Sequence, residues 1–353
     1  MNAVCRHFGA CGGCTLQHLA PEAYRDSKRD LILDALARRG ISHPPLREIV
    51  SVPPRSRRRA TVNLKRTNGE TRIGFHAPRS HDIVDIHECH VLTPGLLRLA
   101  LGLRELLDAV LPEGEDAELH MVDADNGFDV ALSWKRPLSP DLVTRIAAAA
   151  PRQGLVRVTA GGELLYQSAA PEVSFGRARV KLPPNAFLQP TREGEAILQA
   201  RVTEAVGKAR KIADLFSGCG TFALPLAERA QVHTVDADGP MLTALAAAAR
   251  AAPGLKPVAT EKRDLFKRPL TAAELNRFDA AVLDPPRTGA LAQVTNLSAS
   301  RLERIAYVSC DAASFARDAR VLIDGGFRMV WLVGVDQFLW SAHIELAAAF
   351  VRD

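Results

Sequence analysis

The stretch Lys211-Ile-Ala-Asp-Leu-Phe-Ser-Gly-Cys-Gly-Thr-Phe222 carries the decision about the fold. Its first six residues read as a strand, Ser217 to Gly220 form a glycine turn, and a helical pattern opens at Thr221. A strand running through a glycine turn into a helix is the repeating unit of open α/β sheets, whose ligands sit at the carboxyl ends of the strands. The alternation continues on both sides. Helices are predicted over 192–207 and 239–252 and from Ala312 to Asp324, and strands over 231–235, 278–283 and 305–308. From the change of texture near Asn185, the chain reads as a doubly wound, mostly parallel sheet with helices on both faces, in a domain spanning 167–353.

Upstream, 49–166 reads as a smaller β-rich α+β domain. Its short alternating segments are Ala60 to Lys65, Ile83 to Ile86 and Asp129 to Trp134, interrupted by a helix near Gly95 to Val110. Residues 1–48 hold a cysteine-rich segment and a helix over 21–39, with Leu31, Ile32 and Leu36 on its apolar face and Gly40 as its stop. A length of 353 residues suits such a division. The amino terminus has no apolar signal region and no stretch approaches a membrane span, which predicts a cytoplasmic protein, with a monomer expected. Six cysteines in a reducing compartment then each need a metal, catalytic or packing explanation. The net charge of +5 is modest, but Arg55, Arg57, Arg58, Arg59, Lys65 and Arg66 crowd twelve positions. Such a cluster is either a solvated face or a surface for a polyanion.

The glycine turn matches neither the GxGxxG dinucleotide fingerprint nor the phosphate loop, which lowers the standing of nicotinamide and ATP sites. Asp236, twenty-two residues after Asp214, ends a second strand and suits ribose hydroxyls. Asp264 follows a third strand, and a fourth ends in Leu283-Asp284-Pro285-Pro286-Arg287. This succession suits S-adenosylmethionine in a class I methyltransferase fold. Cys310 follows the run Ile305-Ala-Tyr-Val308, at another strand end where a nucleophile would stand, although an isolated cysteine is as readily a packed hydrophobe.

Taken together, DLFSGCGTF (214–222), DPPRTGA (284–290), VSCDAASFARD (308–318) and HIE (343–345), with CRHFGACGGCTLQH (5–18) and ECHVL (88–92), resemble the RNA uracil-5 methyltransferases. The resemblance covers nearly the whole chain. It implies methyl transfer from S-adenosylmethionine to carbon 5 of a uridine, with Cys310 adding to carbon 6 and Glu345 removing the carbon-5 proton. Asp284 and Arg287 would be essential pocket residues, with the arginine stabilising thiolate and enolate. The cofactor would be held by Gln189 of Phe187-Leu-Gln189 and by Phe216, Gly218, Gly220, Thr221, Asp236, Asp264 and Asp284. His343 is read as a residue that supports the pocket from behind or packs, rather than as an acid–base group, and Cys219 as a small structural residue of the glycine turn.

The spacing of Cys5, Cys11, Cys14 and Cys89 suits zinc or an iron-sulfur cluster alike. The resemblance implies a 4Fe-4S cluster and the 23S rRNA type of enzyme, without the amino-terminal RNA-binding β-barrel of many members. RNA contact is therefore expected at Arg55, Arg57, Arg58 and Arg59, with the target base flipped out or presented in a loop. A tRNA T-loop uridine is the alternative substrate. Two rivals differ in kind: an N-methyltransferase whose Asp-Pro-Pro holds an exocyclic amine and needs no thiol, and an RNA-binding protein without catalysis. Three departures from the family pattern stand out. They are Thr191 for Asn, Ala312 for Pro, and Phe338-Leu-Trp-Ser341 for Phe-Pro-His-Thr.

Overall fold

A computed structural model describes residues 3–133, 135 and 139–352. The strand Lys211–Leu215 lies inside an eight-stranded sheet whose order is Leu46–Ser51, Arg328–Asp336, Glu345–Val351, Arg304–Ser309, Ala280–Leu283, Lys211–Leu215, Gln231–Asp236, Val258–Lys262. Neighbours are parallel except at Glu345–Val351, which runs antiparallel to both of its partners. That reversal has a chemical consequence. The first residue of this strand, Glu345, arrives at the edge where its neighbours end, paired with Val335.

Side chains alternate between the two faces of the sheet, as strand geometry requires. Leu215, Leu283, Tyr307 and Phe350 build one core with Phe315, while Ile212, Val282, Val308 and Trp331 build the other with Leu198 and Val202. A second sheet of seven strands, from Arg59–Thr67 to Glu163–Gln167, buries its own core around Val62, Leu64, Leu96 and Leu119. Among the described residues no helix is long and apolar enough to cross a membrane.

Several expectations change. Leu46–Ser51 joins the large sheet, and the helix Pro21–Ala37 buries Ile32 and Leu36 in that sheet's core, so residues 21–51 pack with the carboxyl-terminal half across the expected boundary at 48. The helix expected near 95–110 is two, Pro94–Gly102 and Arg104–Val110. After Gly220 only a single turn, Ala223–Leu226, is helical. The strand expected to reach Trp134 is Gly127–Leu132, and Trp134 lies outside the described residues.

Candidate active site

A cavity of about 560 Å³ opens where the parallel strands end. Gln189, Phe216, Gly218, Thr221, Asp236, Asp264, Asp284, Arg287, Cys310 and Glu345 all line it. Gly220 does not. Its φ is +94°, and a Cβ there would meet Leu245 and Leu224, so this glycine serves close packing beneath the turn.

At one end of the cavity Phe216 adopts φ +64° and Gly218 φ +52°. A bulky residue in the left-handed region costs of order 1–3 kcal/mol and persists only where its surroundings hold it. The Gly218 N–H donates to Asp236 Oδ2 (2.8 Å) and the Asp238 N–H to Oδ1 (2.9 Å). A carboxylate has about four acceptor positions, so Asp236 keeps capacity for hydroxyls. Asp264 Oδ1 accepts from the Phe266 N–H (3.0 Å) and holds the turn that sets the Phe266 ring 5.4 Å from that of Phe216. Both carboxyl oxygens of Asp214 are buried without a hydrogen-bond partner, although the Ala223 N–H offsets part of the cost. Burial and the neighbouring Asp284 and Asp236 push Asp214 well above the usual carboxylate range. Acidic groups, an apolar aromatic slot and a glycine turn fit a cationic cofactor bearing a ribose and a purine, which S-adenosylmethionine is. A helix dipole contributes little here, because the helix after the glycine turn is only one turn long.

At the other end Cys310 follows the strand Arg304–Ser309, and Asp311 caps the next helix by accepting from the Ser314 N–H (2.8 Å). Burial, Glu345 and Asp284 together push the Cys310 thiol up to about 11, while Arg287 pulls it down. A chain of hydrogen bonds joins the two carboxyl groups. Gln189 Nε2 donates to Asp284 Oδ2 (3.0 Å), and Gln337 Nε2 donates to both Gln189 Oε1 (2.8 Å) and Glu345 Oε2 (3.0 Å). Burial raises Asp284 to about 7, and burial together with Asp284 raises Glu345 well above its usual range. Arg287 is exposed, 4.0 Å from Asp311.

The profile of the family described as tRNA (Uracil-5-)-methyltransferase matches residues 172–352. The chain belongs to this family. An uncharacterized RNA methyltransferase of Rhizobium meliloti is 40% identical over 99% of this chain and 85% of that protein. The 23S rRNA (uracil(1939)-C(5))-methyltransferase of Halomonas elongata is 33% identical over 97% of this chain and 74% of that protein. In fold, the chain is similar to the crystal structure of Pyrococcus abyssi tRNA (uracil-54, C5)-methyltransferase in complex with S-adenosyl-L-homocysteine. The TM-score is 0.76 and the identity 24%, covering 97% of this chain and 86% of that one. The protein is thus an S-adenosylmethionine-dependent RNA uracil-5 methyltransferase, with a class I methyltransferase domain preceded by a smaller α+β domain.

The departures from the family pattern acquire physical accounts. Thr191 caps the helix Arg192–Val206 by accepting from the Gly194 N–H (2.9 Å), a task that asparagine does equally well. Ala312 is the first residue of its helix, where proline is favoured because the N–H has no helical partner, and where alanine also fits. The altered loop 338–341 is held from the first helix. Lys28 Nζ donates to Asp336 Oδ1 (2.7 Å) and to the carbonyls of Phe338 (3.3 Å) and His343. Tyr24 Oη donates to Asp336 Oδ2 (2.5 Å) and accepts from the Trp340 N–H (2.8 Å). Trp340, at φ +58°, gives its carbonyl to the N–H groups of Thr15 (2.7 Å) and Leu16 (2.9 Å), which tie the cysteine segment to this loop.

The four amino-terminal cysteines line one cavity of about 210 Å³, together with Arg57, Phe338 and His343. The Gly13 N–H points at Cys11 Sγ (3.4 Å), and burial with the neighbouring thiols pushes Cys14 up to about 12. Among the described residues no three His, Cys, Asp or Glu side chains form a group fit for a metal ion.

The arginine expectation needs correcting. Arg58 is 2% exposed and bound to the buried Glu195 (2.5 Å), so it faces no RNA. Arg57 lies over the Phe338 ring (5.5 Å) beside the cysteines, and Arg59 over the Phe187 ring (4.5 Å) in the cofactor cavity; only Arg55 of the four is exposed. Charge counting along a sequence is blind to which guanidinium groups find a buried carboxylate or ring. Sequence reasoning also missed Gln337. Its signal was a polar residue following Asp336 at the end of an otherwise apolar strand.

Proposed function

We propose that methyl transfer proceeds through a covalent bond between Cys310 and the uridine. S-adenosylmethionine, when bound, supplies an electrophilic methyl group on a sulfonium. Addition of the Cys310 thiolate to carbon 6 moves the ring's electron pair onto an enolate, which makes carbon 5 nucleophilic. After carbon 5 has gained its methyl group, Glu345 takes the remaining proton there, the double bond reforms and the thiolate leaves. The observation that carries this reading is that Cys310, Glu345 and Asp284 line one cavity with the glycine turn. Taking that proton requires the ionised form of Glu345, which the hydrogen bond donated by Gln337 Nε2 favours. The N-methyltransferase rival leaves Cys310 and Glu345 without work.

The RNA is read as tRNA, on the description of the family whose profile the chain matches. This reverses the preference drawn from the motifs. The Halomonas relative supports 23S rRNA as the second reading. Tritium release from carbon-5-labelled transcripts tests both. Release from the T-loop of a tRNA transcript is expected; release from a 23S rRNA transcript alone reverses the order, and release from neither contradicts the assignment of RNA class.

Cys5, Cys11, Cys14 and Cys89 are read as the ligands of a 4Fe-4S cluster. Four thiols in one cavity and an N–H aimed at sulfur support this. The cluster would tie the amino-terminal segment to the second sheet. Protein purified anaerobically should carry about four irons and four sulfides per chain; one zinc and no sulfide would contradict it. A cytoplasmic location, which keeps these thiols reduced, completes the reading.

A further inference from the structure

Cys310 and Arg287 stand in two walls at once. On one side they line the cofactor cavity; on the other they line a groove of about 560 Å³ between the first helix and the start of the helix Ala312–Asp324. Arg38 and Arg39, at the end of the first helix, complete that groove. Both are exposed, and neither side chain has an ion-pair or hydrogen-bond partner among the described residues. Asp34 and Asp311 share the groove, but Asp311 caps its helix and faces Arg287. Ala342, His343 and Ile344 of the clamped loop form part of the wall.

We propose that this groove takes the sugar-phosphate backbone next to the target uridine, with phosphates on Arg38, Arg39 and Arg287. The proposal rests on the reading of Cys310 as the nucleophile toward an RNA uridine. With the cofactor in the cavity, a base turned out of the RNA needs an approach to the thiol from another side, and the groove provides one. The guanidinium groups of Arg38 and Arg39, without protein partners among the described residues, suit phosphate oxygens, which they bind bidentately, and Arg287 beside Asp311 extends the same basic edge. Of the four arginines that sequence clustering had put forward, Arg58 is buried on Glu195 and Arg57 and Arg59 lie over aromatic rings, which leaves Arg55 and groups elsewhere for phosphate binding. A second basic surface, lined by Lys208, Arg210, Arg301 and Arg304, lies at the opposite end of the strands and does not touch the thiol.

The test is the salt dependence of binding to a fluorescently labelled single-stranded oligouridylate, which does not depend on knowing the natural RNA. For Arg38→Gln/Arg39→Gln, the slope of log affinity against log salt should become shallower by about 1.4, at about 0.7 per lost phosphate contact. Lys208→Gln/Arg301→Gln should leave the slope unchanged, and Asp34→Asn should tighten binding. An unchanged slope in the first variant, an equal change in the second, or no binding by the wild type overturns the groove. The covalent reading fails by a different sign: a wild type that forms no adduct with 5-fluorouridine RNA, whatever its salt slope.

Discussion

The two sides of Cys310 are built to opposite rules. Toward the cavity the thiol meets two carboxyl groups that burial has raised, joined through Gln189 and Gln337, in a setting that favours neutral forms. Toward the groove it meets exposed guanidinium groups whose charge is permanent and solvated. The difference teaches where each task belongs. Proton transfer needs groups whose charge can change near neutral pH, and burial supplies that. Holding a polyanion needs charge that does not change, placed where water can be exchanged for phosphate. One loop, 338–344, borders both sides and the cysteine cavity besides.

The largest effect that would break this comparison comes from the buried side. Glu345→Gln should lower turnover by about 10²–10⁴-fold, the usual worth of a positioned base. It should also accumulate a methylated protein–RNA adduct on ordinary uridine RNA, visible as a shifted band; normal turnover would place the base elsewhere.

Next is the clamp that keeps the loop between the two sides. Lys28→Met leaves Asp336 as a buried carboxylate without its cation, and breaking such a pair costs about 3–5 kcal/mol. Denaturant unfolding should show that loss, and Lys28→Arg should recover part of it. A loss under about 1 kcal/mol would mean that the loop is held by other contacts.

A smaller effect is a dependence on pH. Asp284 is raised to about 7 in the folded protein against an ordinary value near 3.9 when unfolded. The folded state therefore binds the extra proton, and this contribution to stability is full below about pH 4 and lost as pH rises toward 7. Asp284→Asn should flatten the fall in unfolding free energy across that window in the cofactor-free protein. An unchanged pH profile would mean that Asp284 is ionised at rest.

The smallest concerns the groove-side wall. Asp311 is extended, at φ −137° and ψ 115°, which is what a following proline requires, and Ala312 occupies the first helical position. Ala312→Pro should stabilise the protein by about 0.4–1 kcal/mol, read from the denaturant midpoint. Destabilisation would show that the family's proline does not fit this wall.

Much of the buried side was legible in the sequence, because strand ends, glycine turns and acidic residues at successive strands are local signals. Cys310 and Asp284 follow apolar runs directly, and Glu345 was reached through the His-Ile-Glu resemblance. What local pattern could not give was partnership over long sequence distance. Arg58 meets Glu195, Lys28 meets Asp336, and Gln337 meets Gln189, each pair brought together by the fold. The joining of Leu46–Ser51 to the large sheet is of the same kind, since its partner Arg328–Asp336 lies near the other end of the chain. The groove escaped for a related reason. Arg38 and Arg39 look like any basic helix end until the fold sets them beside Cys310.

The bond proposed between the Cys310 sulfur and the uridine during methyl transfer can be trapped directly. Wild-type protein incubated with S-adenosylmethionine and 5-fluorouridine RNA should form an adduct that survives denaturation, because fluorine cannot leave as a proton. After digestion, mass spectrometry should find the methylated fluorouridine on the peptide bearing Cys310, and Cys310→Ala should form no adduct while still binding S-adenosylmethionine. A stable adduct on another residue, or full methylation of uridine RNA by Cys310→Ala, would contradict the account.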